Sequence, residues 1–544
     1  MRLLAGILAA VIAASVSCSR VIKFEKRVEF SAAELYQGYR ADNVRISPEG
    51  DIVLDERKIR TETRGEIETD VIDLLDPACN TIAPAARSVS FELTCWGLAP
   101  QGGTLELYTR TGDFYFSREL WSGWRKAEGL AVELPAGAGR YLQARIVLAA
   151  DSPENSPRLS GLDVTAKYSI AVAIAENPLQ ADSIANPKIV TSPVEFGYER
   201  SDQPQIADLV ERNKLKEMVA GCTSELDTLV TLLHWAGRTR NTRHGMESSP
   251  DYPWDLSKIV SYGLDGTPSI EGHCLSYAIV YISALTGLGF QARHWADEGF
   301  RFADHEVVEV WSNSLGKWVY MDPSLCHYYA DKNTGVPLSI LELHRVFVDN
   351  FLADGETLRL PMDSMRAHVT AIGGKNVPIS YVSCDYAYGK PNPDYDWGWF
   401  HGYLACGFLR LTTRNDFHSQ REPWFSHFGE GVQDFDVFLS WSDPKTPVAD
   451  KITRFSDRER DFYWTLGQAQ IKAVQTGARS LACEFGQSLP FFASFRVRVD
   501  DCEPIESGSD YFWKLHEGRN SIEVVPVNEW GRSGIGPAFT VYVK

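Results

Sequence analysis

The chain has 544 residues, which at about 150 residues per domain makes three or four domains. Apolar residues are 44% and charged residues 23% of it, ordinary globular usage that excludes disorder for most of the length. Fifty-four Lys and Arg against 72 Asp and Glu leave a net charge of −18. That balance argues against nucleic acid as a partner, because phosphate recognition needs clustered cations.

Residues 1–17 open with Arg2, continue with an apolar stretch from Leu3 to Ala14, and end in small residues. This is the layout of a secretory signal. Ser15-Val16-Ser17-Cys18 resembles a bacterial lipobox. The resemblance implies that Cys18 is the lipidation site and that the exported chain is held at a membrane of the cell envelope by acyl chains. It does not say which leaflet. Past this segment no apolar run reaches the roughly 18 residues of a spanning helix. Ten cysteines less Cys18 leave nine, so at least one thiol stays unpaired if the others join. None is spaced as a CxxC pair or a zinc ligand set, and no calcium loop is visible. The reading therefore includes no metal and no organic cofactor.

Residues 18–85 read as a polar lead-in. Residues 86–170 alternate apolar and polar in VSFELTCW, GTLELYTRT, LAVELPAG, RYLQARIVLAA and LSGLDVTAKY, broken by Gly, Pro, Asp and Ser. That spacing predicts an antiparallel β-sandwich. Its closing phrase, Tyr141-Leu142-Gln143-Ala144 before Ser156-Pro157, resembles jelly-roll modules found beside glycan-processing enzymes. Residues 180–200 read as a linker. Over 206–241, Leu209, Leu215, Met218 and Val219, then Leu226, Leu229, Val230, Leu233 and Trp235, recur at helical steps behind a capping Thr223-Ser224-Glu225. Residues 351–480 are dense in aromatics with His401, His418 and His427 among them, and their fold is not readable. Residues 485–544 return to strands. Trp513, Leu515, Gly518, Asn520 and Ile522, followed by Asn528-Glu529-Trp530-Gly531, resemble the last hairpin of an immunoglobulin- or fibronectin-type module.

The chemistry falls between 260 and 345. Gly272 breaks the chain just before the apolar run Leu275–Leu285, which places Cys274 at a helix N-terminus. Unsatisfied N–H groups and the helix dipole favour a thiolate there, the reactive form of a thiol. Asp304–Trp311 and Lys317–Asp322 flank a polar turn and predict a hairpin closed by Pro323. Centred between Asn313 and Ser314, the turn sets His305 opposite Asp322. Shifted by one residue, it makes them diagonal neighbours. Either register puts both on one face, with Cβ atoms about 5 Å or about 7–8 Å apart. A carboxylate so placed fixes the imidazole tautomer and leaves the second nitrogen for a thiol.

GHC before an apolar helix, then DHEVVEVW, then KWVYMDP resembles the transglutaminase-like superfamily, over about 205–345. The resemblance implies an α+β, papain-like catalytic core over 180–350, with Cys274 as nucleophile, His305 as general base and acid, and Asp322 as its orienter. It also implies a cysteine-dependent enzyme acting on a carboxamide through a thioester. An exported chain with β modules points to hydrolysis of a peptide or glycopeptide. The alternative is a surface lipoprotein that binds a glycan or protein, with the core as a non-catalytic scaffold. Rival residues are Cys326, four positions past Asp322, its neighbour His327, and His294. For an oxyanion the backbone N–H of Cys274 is the candidate, with Trp235 and Trp254 upstream.

Overall fold

The computed structural model describes residues 20–56, 63–152, 155–239, 255–270, 272, 274–298, 304–351, 379–383, 408–419, 438–442 and 454–544. The chain folds as two compact units. One comprises the segments up to Pro193 and from Trp464 on, and the other runs from Val194 to Tyr463. The described residues are mostly strand, arranged in several sheets, with short helices. No described helix is long and apolar enough to cross a membrane.

The first unit contains two pairs of sheets. In the first pair, one sheet runs Ala131–Leu134, Ala86–Leu98, Arg158–Ala171, Ile52–Leu54, Val44–Ile46, with Val21–Ser31 also on Arg158–Ala171. The other runs Arg40–Asp42, Arg64–Glu68, Tyr141–Ala150, Gly103–Gly112, Arg125–Lys126. Alternate residues such as Phe91, Leu93, Leu142, Ala144 and Ile146 point inward and form one buried cluster, as period-two patterning requires. The stretch 18–85 is no mere lead-in. Val21–Ser31, four short strands and Ile82–Pro84 are built into the sheets. Three-residue strands between turns are too short to show alternation, which is why the sequence hid them.

The second pair of sheets lies near the C-terminus. Ala469–Gly477 pairs with Ser480–Gln487 and, in parallel, with Ile82–Pro84, while Ala181–Ile184 joins the edge strand Ala538–Val543. Two segments far upstream thus complete sheets made by the last 75 or so residues. Phe485, Phe495, Trp513, Ile522 and Phe539 fill the core between them.

The second unit is organised around the helix Cys274–Gly287. Every residue from Tyr277 to Thr286 is buried. A helix apolar on all sides has no solvent face, and this one is enclosed. The helices Pro204–Arg212 and Glu225–Arg238 pack on it, with Ile206, Leu209, Leu229, Leu232 and Leu233 in the shared core. Ser224 caps Glu225–Arg238 through the Asp227 N–H. Met218, placed by periodicity on the apolar face, is exposed instead. A sheet follows in the order Lys317–Met321, Asp304–Ser312, Ala292–Glu298, Phe408–Thr412, Phe438–Trp441, Phe455–Ser456. Its Ala292, Val308, Val310, Val319 and Met321 join the same core. Most of the aromatic-rich stretch 351–480 lies outside the described residues.

Candidate active site

Cys274 is the first residue of the buried helix, so its N–H has no partner within that helix. Gly272 before it sits at φ +119, and a Cβ there would meet Ser276 Oγ at 2.2 Å. Only glycine fits this approach to the helix end. Cys274 is partly exposed while the helix behind it is sealed, which leaves the sulfur at the margin of the core.

The hairpin runs from Ser312 opposite Lys317 to Val308 opposite Met321. Its centre is therefore between Ser314 and Leu315, one residue beyond the symmetric case. Continued one step, this register sets Asp322 opposite Val307 and makes His305 its diagonal neighbour. The long His305 side chain closes the gap: its Nε2–H donates to Asp322 Oδ2 at 2.7 Å. The Cys274 side chain is hydrogen-bonded to the same imidazole. With Nε2 committed to Asp322, Nδ1 is the nitrogen left for sulfur. The three side chains are thus brought together in one chain of contacts.

Asp322 is wholly buried and His305 is 12% exposed. The other Asp322 oxygen, Oδ1, accepts from Ser324 Oγ at 2.9 Å and the Leu325 N–H at 2.9 Å. Burial opposes ionisation of this carboxyl. The charge and hydrogen bond of His305, with help from His327 and the Leu325 N–H, outweigh it and hold the group at about 2. The same pair acts on His305. Burial works against its cation, but Asp322 and the thiol contact raise it well above the usual histidine range. The imidazolium is the favoured form.

Two of the rival residues lie next to this chain without joining it. His327 exchanges backbone hydrogen bonds with Asp322, and its Nδ1 is 3.9 Å from Asp322 Oδ2. Burial pushes it down to about 4, against the pull of Asp322, so it is neutral near pH 7. Cys326 has a left-handed φ of 56 and turns its sulfur the other way, 3.7 Å from the Leu233 carbonyl. A Cβ on Gly237 would lie 2.7 Å from the Cys326 Cβ, so the thiol fills the notch that this glycine leaves in Glu225–Arg238. His294 is enclosed in the sheet between Thr412 Oγ1, at 2.6 Å, and Glu306. Trp235 is core. Trp254, His401, His427, and Cys18 with its signal lie outside the described residues. His418 holds Ser283 Oγ at 2.9 Å. Sequence reasoning missed Ser324, Leu325 and the part His327 plays around Asp322. The tight turn announced by Pro323 was the available signal.

Among the described residues no His, Cys, Asp and Glu group could hold a metal ion, and no two described cysteines are joined by a disulfide.

No family model matches the chain, and no curated protein matches it. Among solved structures, red sea bream transglutaminase aligns at 12% identity over 85% of this chain and 96% of its own, with a TM-score of 0.19. The CBM51-2 (in complex with GlcNAc) and INT domains of Clostridium perfringens ZmpB align at 8% identity over 96% of this chain and 79% of theirs, with a TM-score of 0.11. Likenesses this low carry no argument about fold or function.

Proposed function

We propose that the protein is a cysteine-dependent acyl-transfer enzyme of transglutaminase-like type, exported and lipid-anchored in the cell envelope through Cys18, that hydrolyses an amide bond in a peptide or glycopeptide. One observation carries the reading: a thiol at a helix N-terminus shares a hydrogen bond with an imidazole whose other nitrogen is held by a buried, ionised carboxylate. That is the arrangement covalent catalysis needs.

In this reading the Cys274 sulfur, its proton passed to His305, attacks the carbonyl carbon and forms the S–C bond. The carbonyl oxygen takes the negative charge and faces the Cys274 backbone N–H. The C–N bond then breaks as His305 returns its proton to the leaving amine. Water attacks the resulting thioester while His305 takes one of its protons. The acid departs and the thiol is restored. Asp322 stays ionised throughout and supports the imidazolium at each transfer. No step requires a cofactor. The β modules, the aromatic content and the lipoprotein signal favour hydrolysis of an external peptide or glycopeptide over crosslinking in this reading.

The test is mass-resolved analysis of a peptide and glycopeptide mixture with the parent chain and with Cys274→Ala. The reading expects cleavage or deamidation with the parent and none with the variant. It fails if the two give the same products, or if Cys274 alkylates no faster than a model thiol near neutral pH. Labelling with a radioactive fatty acid, lost in Cys18→Ser, tests the anchor.

A further inference from the structure

The sheet Arg40–Asp42, Arg64–Glu68, Tyr141–Ala150, Gly103–Gly112, Arg125–Lys126 turns Leu107, Leu142, Ala144 and Ile146 to the sandwich core. The residues between them, Arg110, Gln143 and Arg145 among them, belong to its other face. Arg110 and Arg145 are diagonal neighbours, since Arg110 pairs with Gln143 and Arg145 with Tyr108. Both guanidinium groups lie against the Trp124 ring, at 4.6 and 4.4 Å from its centroid. Arg110 also approaches Trp121 at 5.6 Å. Arg118, on the turn that leads into this strand pair, lies 5.0 Å from the Tyr39 ring. Tyr39, Arg110, Arg118, Trp124 and Arg145 are all half-buried.

The cluster is held in place from below. Gln143, with no exposed surface, donates to the Thr69 carbonyl at 2.7 Å and accepts Arg110 Nε and Nη2 on one oxygen, at 3.0 and 2.7 Å. A buried amide thus orients a half-exposed cation. Glu68 pairs with Arg145 and also acts on Arg110, and Glu66 pairs with Arg40; among the described residues Arg110 and Arg118 form no ion pair of their own. At the far corner Glu106 and Lys126 satisfy each other at 2.5 Å. Burial pulls Arg110 below the usual guanidinium range, opposed by the charge of Glu68 and helped by those of Arg118 and Arg145. Like charges gathered this closely work against folding, and in a chain of −18 solubility gives no reason to gather them.

We infer that this face of the sandwich is a binding site for an acidic saccharide, a chain of uronate-type sugars whose carboxylates meet the Arg110 and Arg118 guanidinium groups and whose ring faces pack beside Tyr39 and Trp124. Guanidinium N–H pairs match a carboxylate fork in a way that ammonium groups do not. The occupant is a saccharide rather than an acidic peptide because the site is a face and not an edge. The backbone N–H and C=O groups of the three central strands are consumed within the sheet, so an extended peptide has no ladder to join. Only side chains are on offer, and rings with equatorial C–H patches and pendant carboxylates suit aromatic and arginine side chains. The site lies wholly in the first unit and does not depend on Cys274 being a nucleophile.

The test is affinity electrophoresis of the full-length chain in gels cast with polygalacturonate, dextran or poly-glutamate. Retardation by polygalacturonate, weakened by salt, and little by dextran is the expected result. Arg118→Glu and Arg110→Gln should each weaken retention about tenfold or more, as the loss of one charge-assisted pair requires. Cys274→Ala should be retained like the parent, which separates failure here from failure of the thiol chemistry. Arg118 lies on a short turn outside the sheet, so its variant keeps the test open if Arg110→Gln does not fold. Absence of retardation, equal retardation by dextran, retention unchanged in Arg118→Glu, or poly-glutamate held as strongly as polygalacturonate would each overturn the inference.

Discussion

Asp322→Asn is the sharpest perturbation of the proposed chemistry. Its size follows from the carboxylate's surroundings. Held at about 2 rather than 3.8, the ionised group is favoured by about 2 kcal/mol net of burial. The ion pair alone, at a charge separation near 4 Å and an effective dielectric near 20, is worth about 4 kcal/mol. The amide keeps the shape and can still accept from Ser324 Oγ and the Leu325 N–H. Its NH₂, however, faces His305 Nε2, which turns that nitrogen into an acceptor and moves the ring proton to Nδ1. Nδ1 then meets the thiol as a donor and no longer takes its proton. Between the two energies, the rate of iodoacetamide alkylation of Cys274 at pH 7 should fall by about 30- to 1000-fold, and its pH profile should shift to higher pH. Alkylation is read by peptide mass at Cys274, so buried Cys326 does not interfere. Removing one member of a buried pair destabilises by about 3–5 kcal/mol, so the thermal transition is recorded alongside. If the variant is unfolded, His305→Gln attacks the same pair from the other side. An unchanged rate and profile in a folded variant would refute the argument, because Asp322 would then contribute nothing to the proton on His305.

Other outcomes follow from particular contacts. Gly237→Ala brings a Cβ within 2.7 Å of the Cys326 Cβ and should lower stability by about 1–3 kcal/mol despite the better helix former; the double variant with Cys326→Gly should recover most of it in a urea titration. His327 is pushed down to about 4 in the folded chain, so the unfolded chain binds a proton first as pH falls. The second unit should therefore lose about 3 kcal/mol between pH 6.5 and 4, and His327→Phe should flatten that slope in calorimetry. Glu484 runs the other way in the first unit. Burial pushes it up to about 7 against three backbone N–H donors, so stability should fall by about 3 kcal/mol as pH rises from 4.5 to 7, and Glu484→Gln should remove that dependence.

What could be read from the sequence was local. The thiol's position needed only Gly272 and the mainly apolar run Leu275–Leu285 behind it. The His305–Asp322 pair needed only a turn between two strands, and a one-residue error in the turn centre left both on one face because strand periodicity is two. What could not be read was long-range. No local pattern says that Ile82–Pro84 lies parallel to Ala473–Gln475, almost four hundred residues on. Nothing local marks Ala181–Ile184, in an apparent linker, as the edge partner of Ala538–Val543. Ser324 and Leu325 were signalled only by the turn at Pro323, since offsets of two and three residues from a carboxylate are common in any loop and gain meaning only once Asp322 is known to be buried.

The strand Asp304–Ser312 carries two further buried carboxylates, Glu309 and, beside His294, Glu306, and the contrast with Glu309 shows how Asp322 differs. Glu309 has no exposed surface and neither has Arg293. One Glu309 oxygen accepts from Arg293 Nε and Nη2 and from Trp295 Nε1, at 3.0, 2.7 and 2.6 Å. The other accepts from the Ile340 N–H and the Tyr463 hydroxyl, both at 2.7 Å. The Phe462 carbonyl takes the remaining side of Arg293, whose face lies 3.9 Å from the Trp318 ring centroid. Both carboxylate oxygens are saturated, the cation lies against rings, and neither side chain has exposed surface. The pair fastens Ala292–Glu298, Asp304–Ser312 and the start of Ile340–Phe351 to one another. Asp322 is as thoroughly satisfied as Glu309, but its cation is a histidine with a second nitrogen, and that nitrogen meets a partly exposed sulfur instead of another fixed donor. Saturation on one side and one contact to a partly exposed sulfur on the other set this ion pair apart from Glu309 and Arg293.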